Sequence, residues 1–422
     1  MGWTLEYGVM PERPRDPANH RRATVGPSLA GSFQFPPRVR FGRGTRSELT
    51  HEVRDQPCLV VTSSAGRERW LADPELGPVL SGVDALWLDG VAANPTVSAL
   101  DELVQQARAA GWRRGRVVAI GGGSVLDGAK AIAAGLAAEG VSVAELARDP
   151  SVLDTLEVDP LVALPSTSGS GSEVTSVSVI WHRAPGGGPR PGGGDGPPKV
   201  SLSHPKLFPD VALVDPALTD TLPPHQTLAT ALDAFNQAAE SIWSRRANAL
   251  SLPWAIRAMA LVWEALPTLV DEPSRVTARD ALSEASLLAG AALSQTGTVA
   301  CHALSYPLTD RYGVTHGIAC AFTMAAVTEH MLAADDGRHE ALATALLGFE
   351  ARAADVPEAM ARFLTDLGVG ELVRAAVGSR EALLALLDEV QLPERSGKGL
   401  RDLDHGARER VMNAAWSDAP RA

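Results

Sequence analysis

RVVAIGGGSVLDGAK, residues 116–130, decides the fold class of this chain. It begins with a short apolar, β-branched run, which is typical of a buried strand, and this run leads directly into three glycines. A helical pattern follows, with Ser124 placed to cap the start of the helix. The stretch therefore predicts a strand, a turn and a helix that belong to an α/β domain with a parallel sheet.

Similar units lie on both sides of this stretch. A strand or hairpin is predicted at residues 33–41, and further strands are predicted at 58–62, 85–88, 161–164 and 211–214. Helical patterns begin at residue 67 and cover residues 97–110. Alternating strands and helices imply a parallel sheet covered on both faces, and such a sheet binds ligands beyond the carboxyl ends of its strands. The glycines at 121–123 lie at such an end.

The second half of the chain has a different pattern. From residue 227 onward the spacing is helical almost to the end, with long helices predicted at 228–244, 253–270, 278–293 and 317–333. We expect an α/β domain at residues 32–224 and an all-α domain at 225–422, preceded by a flexible arm at 1–31. The segment PGGGPRPGGGDGPP, residues 185–198, is predicted to be a mobile surface loop, because no strand-to-helix pattern surrounds its glycines.

Composition and charge narrow the classes of function. The 422 residues are 45% hydrophobic and 21% charged, which are ordinary values for a folded globular protein. The formal net charge of -12 disfavours nucleic acid and anionic membranes as partners, because both are bound by basic surfaces. Residues 285–309 lack charged side chains but are rich in Ser, Thr, Gln and Gly, so they predict a buried helix and turn rather than a membrane span.

The cysteines and the first residues predict a cellular location. Cys58, Cys301 and Cys320 are odd in number and widely spaced, which fits reduced thiols better than a disulfide framework. The first residues lack the basic-then-apolar order of a signal peptide. We therefore expect a cytoplasmic protein.

Residues 300–317, ACHALSYPLTDRYGVTHG, place two histidines across a turn-rich segment of an otherwise apolar helical region. Imidazole is a common metal ligand and the usual acid or base near neutral pH, so His302 and His316 predict a metal site or a proton relay. Two hydrogen-bonded core histidines are the alternative interpretation.

Four segments together resemble a known family. They are GGGSVLDGAK, LPSTSGSGSEVT, LVDPALTDTLPP and HALSYPLTDRYGVTHG, which begin at residues 121, 164, 213 and 302. Their order and spacing are similar to those of the iron-dependent (group III) alcohol dehydrogenases, and the likeness extends from about residue 33 to the end of the chain. The resemblance implies an N-terminal dinucleotide-binding α/β domain and a C-terminal helical domain for metal and substrate, with the active site in the cleft between them.

The resemblance also implies that NADH or NADPH is the cofactor. The residues that match the family's pyrophosphate loop, its second cofactor loop and its basic residue near the ribose are Gly121, Gly122, Gly123, Ser124, Asp127, Thr167, Ser170 and Lys199. After the first strand many NAD-preferring members carry an aspartate that would repel a 2′-phosphate, whereas this chain has Thr62 and Ser63. We predict that Ser63 contacts the cofactor. The cofactor can be either NADH or NADPH, since no aspartate is present to repel a 2′-phosphate. Lys130 is expected to face the surface or a neighbouring element.

The family's metal site is matched with one substitution. One aspartate and three histidines hold a divalent metal, often Fe2+ or Zn2+, in the family; here Asp233, His302 and His316 match three of them, and the first histidine falls at Gln237. Asp233 and Gln237 are four residues apart on a predicted helix, so both side chains project to one face. Because an amide oxygen is a poorer donor for these metals than imidazole, weaker metal binding is expected.

A second departure lies at Tyr306, where most members carry a histidine near the nicotinamide. Its phenol could supply the proton in place of that histidine, or the ring could simply fill a reshaped pocket. The combination of Gln237 with ESIWS after it and SYPLTDRYGVTHGIACA resembles the hydroxyethylphosphonate dehydrogenase (phosphonoacetaldehyde reductase) branch of the family. That branch implies reduction of phosphonoacetaldehyde to 2-hydroxyethylphosphonate in phosphonate biosynthesis.

An anionic aldehyde would need a basic neighbour. Guanidinium groups match phosphoryl oxygens, and the candidates are Arg311, Arg245 and Arg246, each of which could instead be a surface residue. The alternatives to the phosphonate function are a general short-chain alcohol dehydrogenase and a non-catalytic nucleotide-binding homologue. A lyase or synthase of the related dehydroquinate synthase type is disfavoured by the context of the glycine loop. By analogy with the family, we expect a homodimer.

Overall fold

The structure is a computed structural model that describes residues 33–181, 199–390 and 398–417. The arm predicted at 1–31 and the loop predicted at 185–198 lie outside these residues. The strands, in chain order, are β1 (Arg38–Phe41), β2 (Cys58–Val61), β3 (Ala85–Leu88), β4 (Arg116–Gly121), β5 (Leu161–Pro165), β6 (Val177–Trp181), β7 (Lys199–Ser203) and β8 (Val211–Val214).

Within the described residues, six of the strands form one parallel sheet in the order β1-β8-β5-β4-β2-β3. β6 and β7 form a separate antiparallel pair. The helices of this half are α1 (Leu49–Glu52), α2 (Gly66–Ala72), α3 (Leu76–Ser81), α4 (Val97–Ala109), α5 (Gly123–Ala137) and α6 (Val143–Arg148).

Both faces of the sheet are buried. In β2 and β4 successive side chains alternate between two apolar clusters, so that Val117 and Ala119 pack on one side and Val118 and Ile120 on the other. This arrangement explains why the strands are near-continuous apolar runs rather than alternating ones. The predicted α/β class with a parallel sheet is confirmed.

The second half is helical. Its helices are α7 (Pro224–Trp243), α8 (Ser251–Asp271), α9 (Val276–Thr296), α10 (Ala300–Tyr312), α11 (His316–Phe322), α12 (Met324–Leu332), α13 (Arg338–Leu347), α14 (Val356–Asp366), α15 (Val369–Val377), α16 (Arg380–Ala385) and α17 (His405–Ser417). They share one large apolar cluster. The first of them begins at Pro224, next to the predicted domain boundary, which itself stays a prediction.

Two local predictions in this half are wrong. Residues 300–312 are not turn-rich, because α10 continues through Pro307 to Tyr312 and the turn is confined to residues 313–315. The helix predicted at 317–333 is two helices, α11 and α12, which meet at Thr323. Among the described residues, none of the helices has both the length and the apolar character that crossing a membrane requires.

Close backbone contacts join the two halves. Gly171 has a φ of 60°, and a Cβ added there would lie 2.4 Å from Cα of Gly290 in α9. Only glycine allows both this left-handed conformation and this approach. The Arg279 side chain of α9 donates to the carbonyl oxygens of Thr219 and Leu222 at 2.8 and 3.1 Å. The loop after β5 and the segment after β8 are thereby both held against the helical half.

Candidate metal and cofactor site

The two predicted cofactor loops lie side by side at the carboxyl edge of the sheet. β4 and β5 pair in parallel up to Gly121 and Pro165, where both strands end. The N–H of Ser166 donates to the carbonyl oxygen of Gly121 at 2.9 Å. Parallel strands end at one edge of a sheet, and this is where α/β domains bind their ligands.

The glycines after β4 allow these two loops to pack directly on each other. A Cβ added at Gly122 would lie 3.1 Å from Cγ2 of Thr167, and one added at Gly123 would lie 2.6 Å from Oγ of Ser170. A side chain at Gly123 would therefore push the second loop away. The fold thus brings together four residues that were predicted to contact the cofactor, namely Gly122, Gly123, Thr167 and Ser170.

The start of α5 differs from the prediction for Ser124. Gly122 is the N-cap and no side chain caps the helix, whereas Ser124 lies inside the first turn. Its Oγ accepts a hydrogen bond from the N–H of Asn94 at 3.1 Å. The glycines let the chain enter the helix two residues earlier than a serine cap would, which leaves the first-turn N–H groups beside the second cofactor loop.

Asp127 and Lys130 tie α5 to the β6–β7 pair. The Asp127 carboxylate accepts from Oγ of Ser172 at 2.5 Å and from the N–H of Val179 at 3.0 Å. Lys130 is fully buried and donates to Oγ of Ser172 at 2.7 Å and to the carbonyl oxygen of Val177 at 2.9 Å, so of the two expected alternatives it contacts a neighbouring element rather than the surface. Burial lowers the pKa of Lys130 to about 8. Asp127 orients the loop in this structure.

The two residues that follow β2, Thr62 and Ser63, offer no carboxylate to a nucleotide. Thr62 is buried, donates its Oγ1 proton to the carbonyl oxygen of Ile120 at 2.8 Å and accepts from Nε1 of Trp70 at 2.8 Å. The Thr62 hydroxyl group therefore forms its hydrogen bonds within the core of the domain. Ser63, the next residue, is partly exposed at the carboxyl end of β2.

Asp233 and Gln237 lie one turn apart on α7, as predicted. Oδ1 of Asp233 and Oε1 of Gln237 are buried and have no hydrogen-bond partner in the described part of the chain. Nε2 of Gln237 donates to the carbonyl oxygen of Ser170 at 3.3 Å, which links this helix to the second cofactor loop. Unpartnered buried acceptors cost roughly 1–3 kcal/mol each, so two on one helix face call for a ligand between them.

His302 is held in place by Glu240, a residue that the sequence analysis did not predict as part of the site. Oε2 of the fully buried Glu240 lies 2.8 Å from Nδ1 of His302, and the same carboxylate accepts from the N–H of Val299 at 2.7 Å. A carboxylate only accepts, so Nδ1 carries a proton and Nε2 is the ring nitrogen that faces Asp233. Nε2 lies 3.5 Å from Oδ1 of Asp233, which is too long for a good hydrogen bond.

Nε2 of His302 and Oδ1 of Asp233 face each other, so a metal ion that replaces the proton on Nε2 would contact both atoms. Burial opposes ionisation of Asp233, but the rings of His302 and His316 nevertheless hold its pKa below the usual value. The carboxylate is therefore ready to bind a cation. Glu240 follows Asp233 and Gln237 at spacings of seven and three residues on α7, and this helical spacing was the signal that could have revealed it.

His316 approaches α7 because a glycine follows it. A Cβ on Gly317 would lie 1.9 Å from the carbonyl oxygen of Ala229, so only glycine lets the start of α11 come this close. The ring of His316 lies 5.2 Å from that of His302, centroid to centroid. Oγ of Ser305 lies 3.4 Å from its Nδ1. The predicted ligands from three helices are thus neighbours.

Cys320, one turn further along α11, is a second residue that the site prediction did not contain. Its Sγ lies 3.8 Å from both ring nitrogens of His316. One nitrogen each from His302 and His316 and this sulfur all lie within 4.8 Å of one another. The thiol is fully buried, and burial raises its pKa to about 11.

Tyr306 and Lys199 lie beside the histidines. The Tyr306 ring is nearly parallel to that of His316, with 10° between the planes and 6.1 Å between the centroids. Nζ of Lys199, at the start of β7, lies 4.6 Å from the centre of the Tyr306 ring. This is a cation–π contact, and it places the predicted cofactor lysine next to the predicted proton donor.

The structure gives two of the three candidate arginines acidic partners. Nε and a terminal nitrogen of Arg311 each donate to the carboxylate of Glu389 at 2.8 Å. Arg245 lies 3.1 Å from Oδ1 of Asp402. Arg246 is exposed just beyond the end of α7. An anionic substrate at Arg311 or Arg245 would therefore compete with a carboxylate or share the guanidinium with it.

Comparison with known proteins assigns the family. Residues 36–216 match the family model for iron-containing alcohol dehydrogenase, and residues 227–389 match that for the C-terminal region of the Fe-containing alcohol dehydrogenase family. The chain belongs to the iron-containing alcohol dehydrogenase family. It is therefore an alcohol dehydrogenase or aldehyde reductase that uses a nicotinamide cofactor, as the sequence predicted.

Individual members of the family agree with this assignment. Phosphonoacetaldehyde reductase from Streptomyces viridochromogenes is 35% identical over 302 residues, 67% of this chain and 71% of that one. Long-chain-alcohol dehydrogenase 1 from Geobacillus thermodenitrificans is 31% identical over 347 residues, 79% of this chain and 84% of that one. The crystal structure of sulfoacetaldehyde reductase from Bifidobacterium kashiwanohense in complex with NAD+ has a TM-score of 0.77 and 28% identity, and covers 92% of this chain and 100% of that one.

The metal that the family's name implies fits the residues present. A carboxylate, an amide oxygen and two imidazoles converge from α7, α10 and α11, and Glu240 fixes the tautomer of one imidazole. Hydrogen-bonded histidines of this kind are typical of metal sites. The unpartnered atoms Oδ1 of Asp233 and Oε1 of Gln237 are the acceptors that such an ion would satisfy.

Proposed function

We propose that this protein reduces a small aldehyde to a primary alcohol with NADH or NADPH, and that Asp233, Gln237, His302 and His316 hold a divalent metal, Fe2+ or Zn2+. One observation carries the proposal. Oδ1 of Asp233 faces Nε2 of His302 across 3.5 Å, while Glu240 occupies the other nitrogen of that ring at 2.8 Å. A metal ion that takes the place of the proton on Nε2 would bind both of these atoms.

Each part of the site has a role in this reaction. A bound divalent metal supplies a Lewis acid that stabilises negative charge on a carbonyl oxygen. Glu240 keeps the Nε2 lone pair of His302 directed at the ligand group. The predicted cofactor residues Ser63, Gly121, Gly122, Gly123, Ser124, Asp127, Thr167, Ser170 and Lys199 hold or shape the nucleotide site. Tyr306 donates the proton to the alkoxide oxygen of the product from its phenol group.

We further propose that the aldehyde is phosphonoacetaldehyde and the product 2-hydroxyethylphosphonate, as in phosphonate biosynthesis. The 35% identity with a phosphonoacetaldehyde reductase supports this choice. A second relative acts on sulfoacetaldehyde, which is also an anionic aldehyde. Arg311, Arg245 and Arg246 stay the candidate anion-binding groups. The cytoplasmic location and the homodimer expected from the sequence also stay predictions.

A substrate panel tests this function. Initial rates of NADH and NADPH oxidation are measured with phosphonoacetaldehyde and with propanal, after loading the protein with Fe2+ or Zn2+. We expect kcat/KM to be at least about tenfold higher for the phosphonate, since its charge adds binding in the transition state. Equal values would contradict the phosphonate assignment and favour a general short-chain alcohol dehydrogenase. No oxidation with any aldehyde by the metal-loaded protein would favour a non-catalytic homologue.

A further inference from the structure

We propose that Cys320 is a metal ligand of this protein and that its thiolate supplies the strong donor that Gln237 does not. The inference rests on the proposed metal site and adds a residue to it. None of the four predicted ligands carries a sulfur atom. A thiolate beside Asp233 also gives the ion a second negative charge, which offsets the loss of an imidazole at position 237.

The position of Cys320 on its helix is the first argument. It follows His316 by four residues on α11, so the two side chains leave the same face of the helix. His316 and His302 each have Nδ1 beside another group, at 3.4 Å from Oγ of Ser305 and 2.8 Å from Glu240. The other nitrogen of the His302 ring, Nε2, faces Oδ1 of Asp233, and Sγ of Cys320 lies beside the His316 ring.

The distances are the second argument. Two ligands on one tetrahedral zinc ion, with a metal–nitrogen bond of about 2.0 Å and a metal–sulfur bond of about 2.3 Å, lie roughly 3.4–3.6 Å apart. Sγ of Cys320 lies 3.8 Å from His316, and Oδ1 of Asp233 lies 3.5 Å from His302. Both pairs are close to this span, and the sulfur lies at a distance that also suits a hydrogen bond from the thiol when no metal is bound.

An independent observation comes from α7. Gln237 is only 3% exposed, yet its Oε1 has no hydrogen-bond partner in the described residues, and Oδ1 of Asp233 is equally unpartnered. These two acceptors lie one turn apart on α7, and a bound cation would satisfy both. Cys301, the residue before His302, has a buried thiol as well, but it is not part of the group of ligand atoms that lie within 4.8 Å.

A thiolate changes which metal the site prefers. Soft thiolate donors favour Zn2+, whereas a set of only oxygen and nitrogen ligands is more permissive. When Sγ binds the ion, the thiol proton leaves to solvent, and metal affinity increases with pH as a result. We therefore expect Zn2+ to bind more tightly than Fe2+ to this member of an iron-type family.

Cobalt spectroscopy tests the ligand directly. Co2+ is added to the metal-free full-length protein under anaerobic conditions, and its absorption spectrum is measured. The wild type is expected to show visible d–d bands and a near-ultraviolet sulfur-to-cobalt charge-transfer band. In Cys320→Ser the charge-transfer band disappears while the d–d bands persist, and the Kd for Zn2+ rises about 10- to 100-fold, in the range typical of a changed metal site. Gln237→Ala keeps the charge-transfer band and changes the Kd less.

The chain offers a matched control because it contains three cysteines. The double variant Cys58→Ala with Cys301→Ala leaves Cys320 as the sole thiol, so a charge-transfer band in this variant comes from Cys320 even if Cys320→Ser does not fold. Visible d–d bands without a charge-transfer band in the wild type would overturn the Cys320 proposal and leave the proposed function intact. A protein that binds neither Co2+ nor Zn2+ would overturn the metal site as a whole.

Discussion

Glu240 and His302 form a fully buried pair in which Oε2 of the carboxylate lies 2.8 Å from Nδ1 of the ring. The carboxylate also accepts from the backbone N–H groups of Val299 and His302, at 2.7 and 3.2 Å. It therefore fixes the start of α10 and the orientation of the ring together. No step of the reaction needs Glu240 to contact the substrate, so it acts as a positioning residue.

Removal of this carboxylate is predicted to weaken metal binding. In Glu240→Ala the His302 ring loses its fixed tautomer, and we expect the Kd for Zn2+ to rise about 10- to 100-fold, as for other residues that hydrogen-bond a metal-binding histidine. Glu240→Gln keeps an acceptor oxygen, so its Kd for Zn2+ should lie between those of the wild type and Glu240→Ala. The measurement is a competition titration with a chromophoric chelator. Glu264→Ala, on the exposed face of α8, is the matched control and should leave the Kd unchanged. A wild-type Kd in Glu240→Ala would contradict the role given to this pair.

The contact between the two cofactor loops gives a second prediction. The Cβ of Gly123→Ala would lie 2.6 Å from Oγ and 2.7 Å from Cβ of Ser170, so the loops must separate. We expect the Kd for NADH to rise at least about tenfold, which is 1.4 kcal/mol. Fluorescence titration measures it. Adding Ser170→Gly removes the clash and should restore much of the affinity, whereas Gly406→Ala, where a Cβ meets only ordinary contacts, should have no effect. The prediction fails if the second substitution gives no rescue.

Tyr306 can be tested as a proton donor rather than a filler of the pocket. Tyr306→Phe keeps the ring between His316 and Lys199 but removes the hydroxyl group. Because general acid catalysis typically contributes about 10²- to 10⁴-fold, we expect kcat to fall by at least tenfold with little change in KM or in the Co2+ spectrum. Tyr312→Phe, at the end of α10, serves as the control. An unchanged kcat would show that the phenol only fills space.

Much of the fold could be predicted from the sequence because the strands are short apolar runs bounded by glycine, proline or charged residues. The bounds predicted for the strands at 85–88 and 211–214 are those observed. Sequence patterns predicted the local structure less reliably where contacts between distant parts of the chain determine it. Residues 300–317 were predicted to be turn-rich, yet Pro307 lies buried inside α10. For Lys130 the sequence left the surface and a neighbouring element open, because its partners at the start of β6 and just before it are not revealed by the helix pattern.

The site was predicted only in part for the same reason. Asp233, Gln237, His302 and His316 were found through a resemblance of motifs, and the fold brings their helices together. Glu240 and Cys320 carry no motif of their own. Their roles depend on the approach of α11 to α7 at Gly317, which is a contact between residues far apart in the chain. A search of each ligand helix for further donors at spacings of three, four or seven residues would have found both.

Glu173 gives a prediction about the pH dependence of stability. The residue is buried between the charges of Lys130 and Asp127, and burial raises its pKa to about 7. In the folded state Glu173 therefore holds its proton above the pH at which the unfolded chain releases it. Its contribution to stability is complete below about pH 4.5 and is lost as the pH rises through about 7, and it amounts to roughly 3 kcal/mol.

The check compares melting temperatures of Glu173→Gln and the wild type at pH 5 and pH 8. A glutamine cannot ionise, so the difference in Tm between variant and wild type should shift in favour of the variant at the higher pH. The exposed Glu102→Gln should show no such shift. If the difference for Glu173→Gln is the same at both pH values, this carboxyl does not titrate as described.

The central claim, metal-dependent reduction of an aldehyde at Asp233, Gln237, His302 and His316, is tested most directly by one measurement. The rate of NAD(P)H oxidation with phosphonoacetaldehyde is followed while metal is returned to the metal-free protein. The account predicts no activity without metal, activity in proportion to bound Zn2+ or Fe2+ up to one ion per chain, and none in His302→Ala at any metal content. Equal rates in the metal-free and the metal-loaded protein would contradict it.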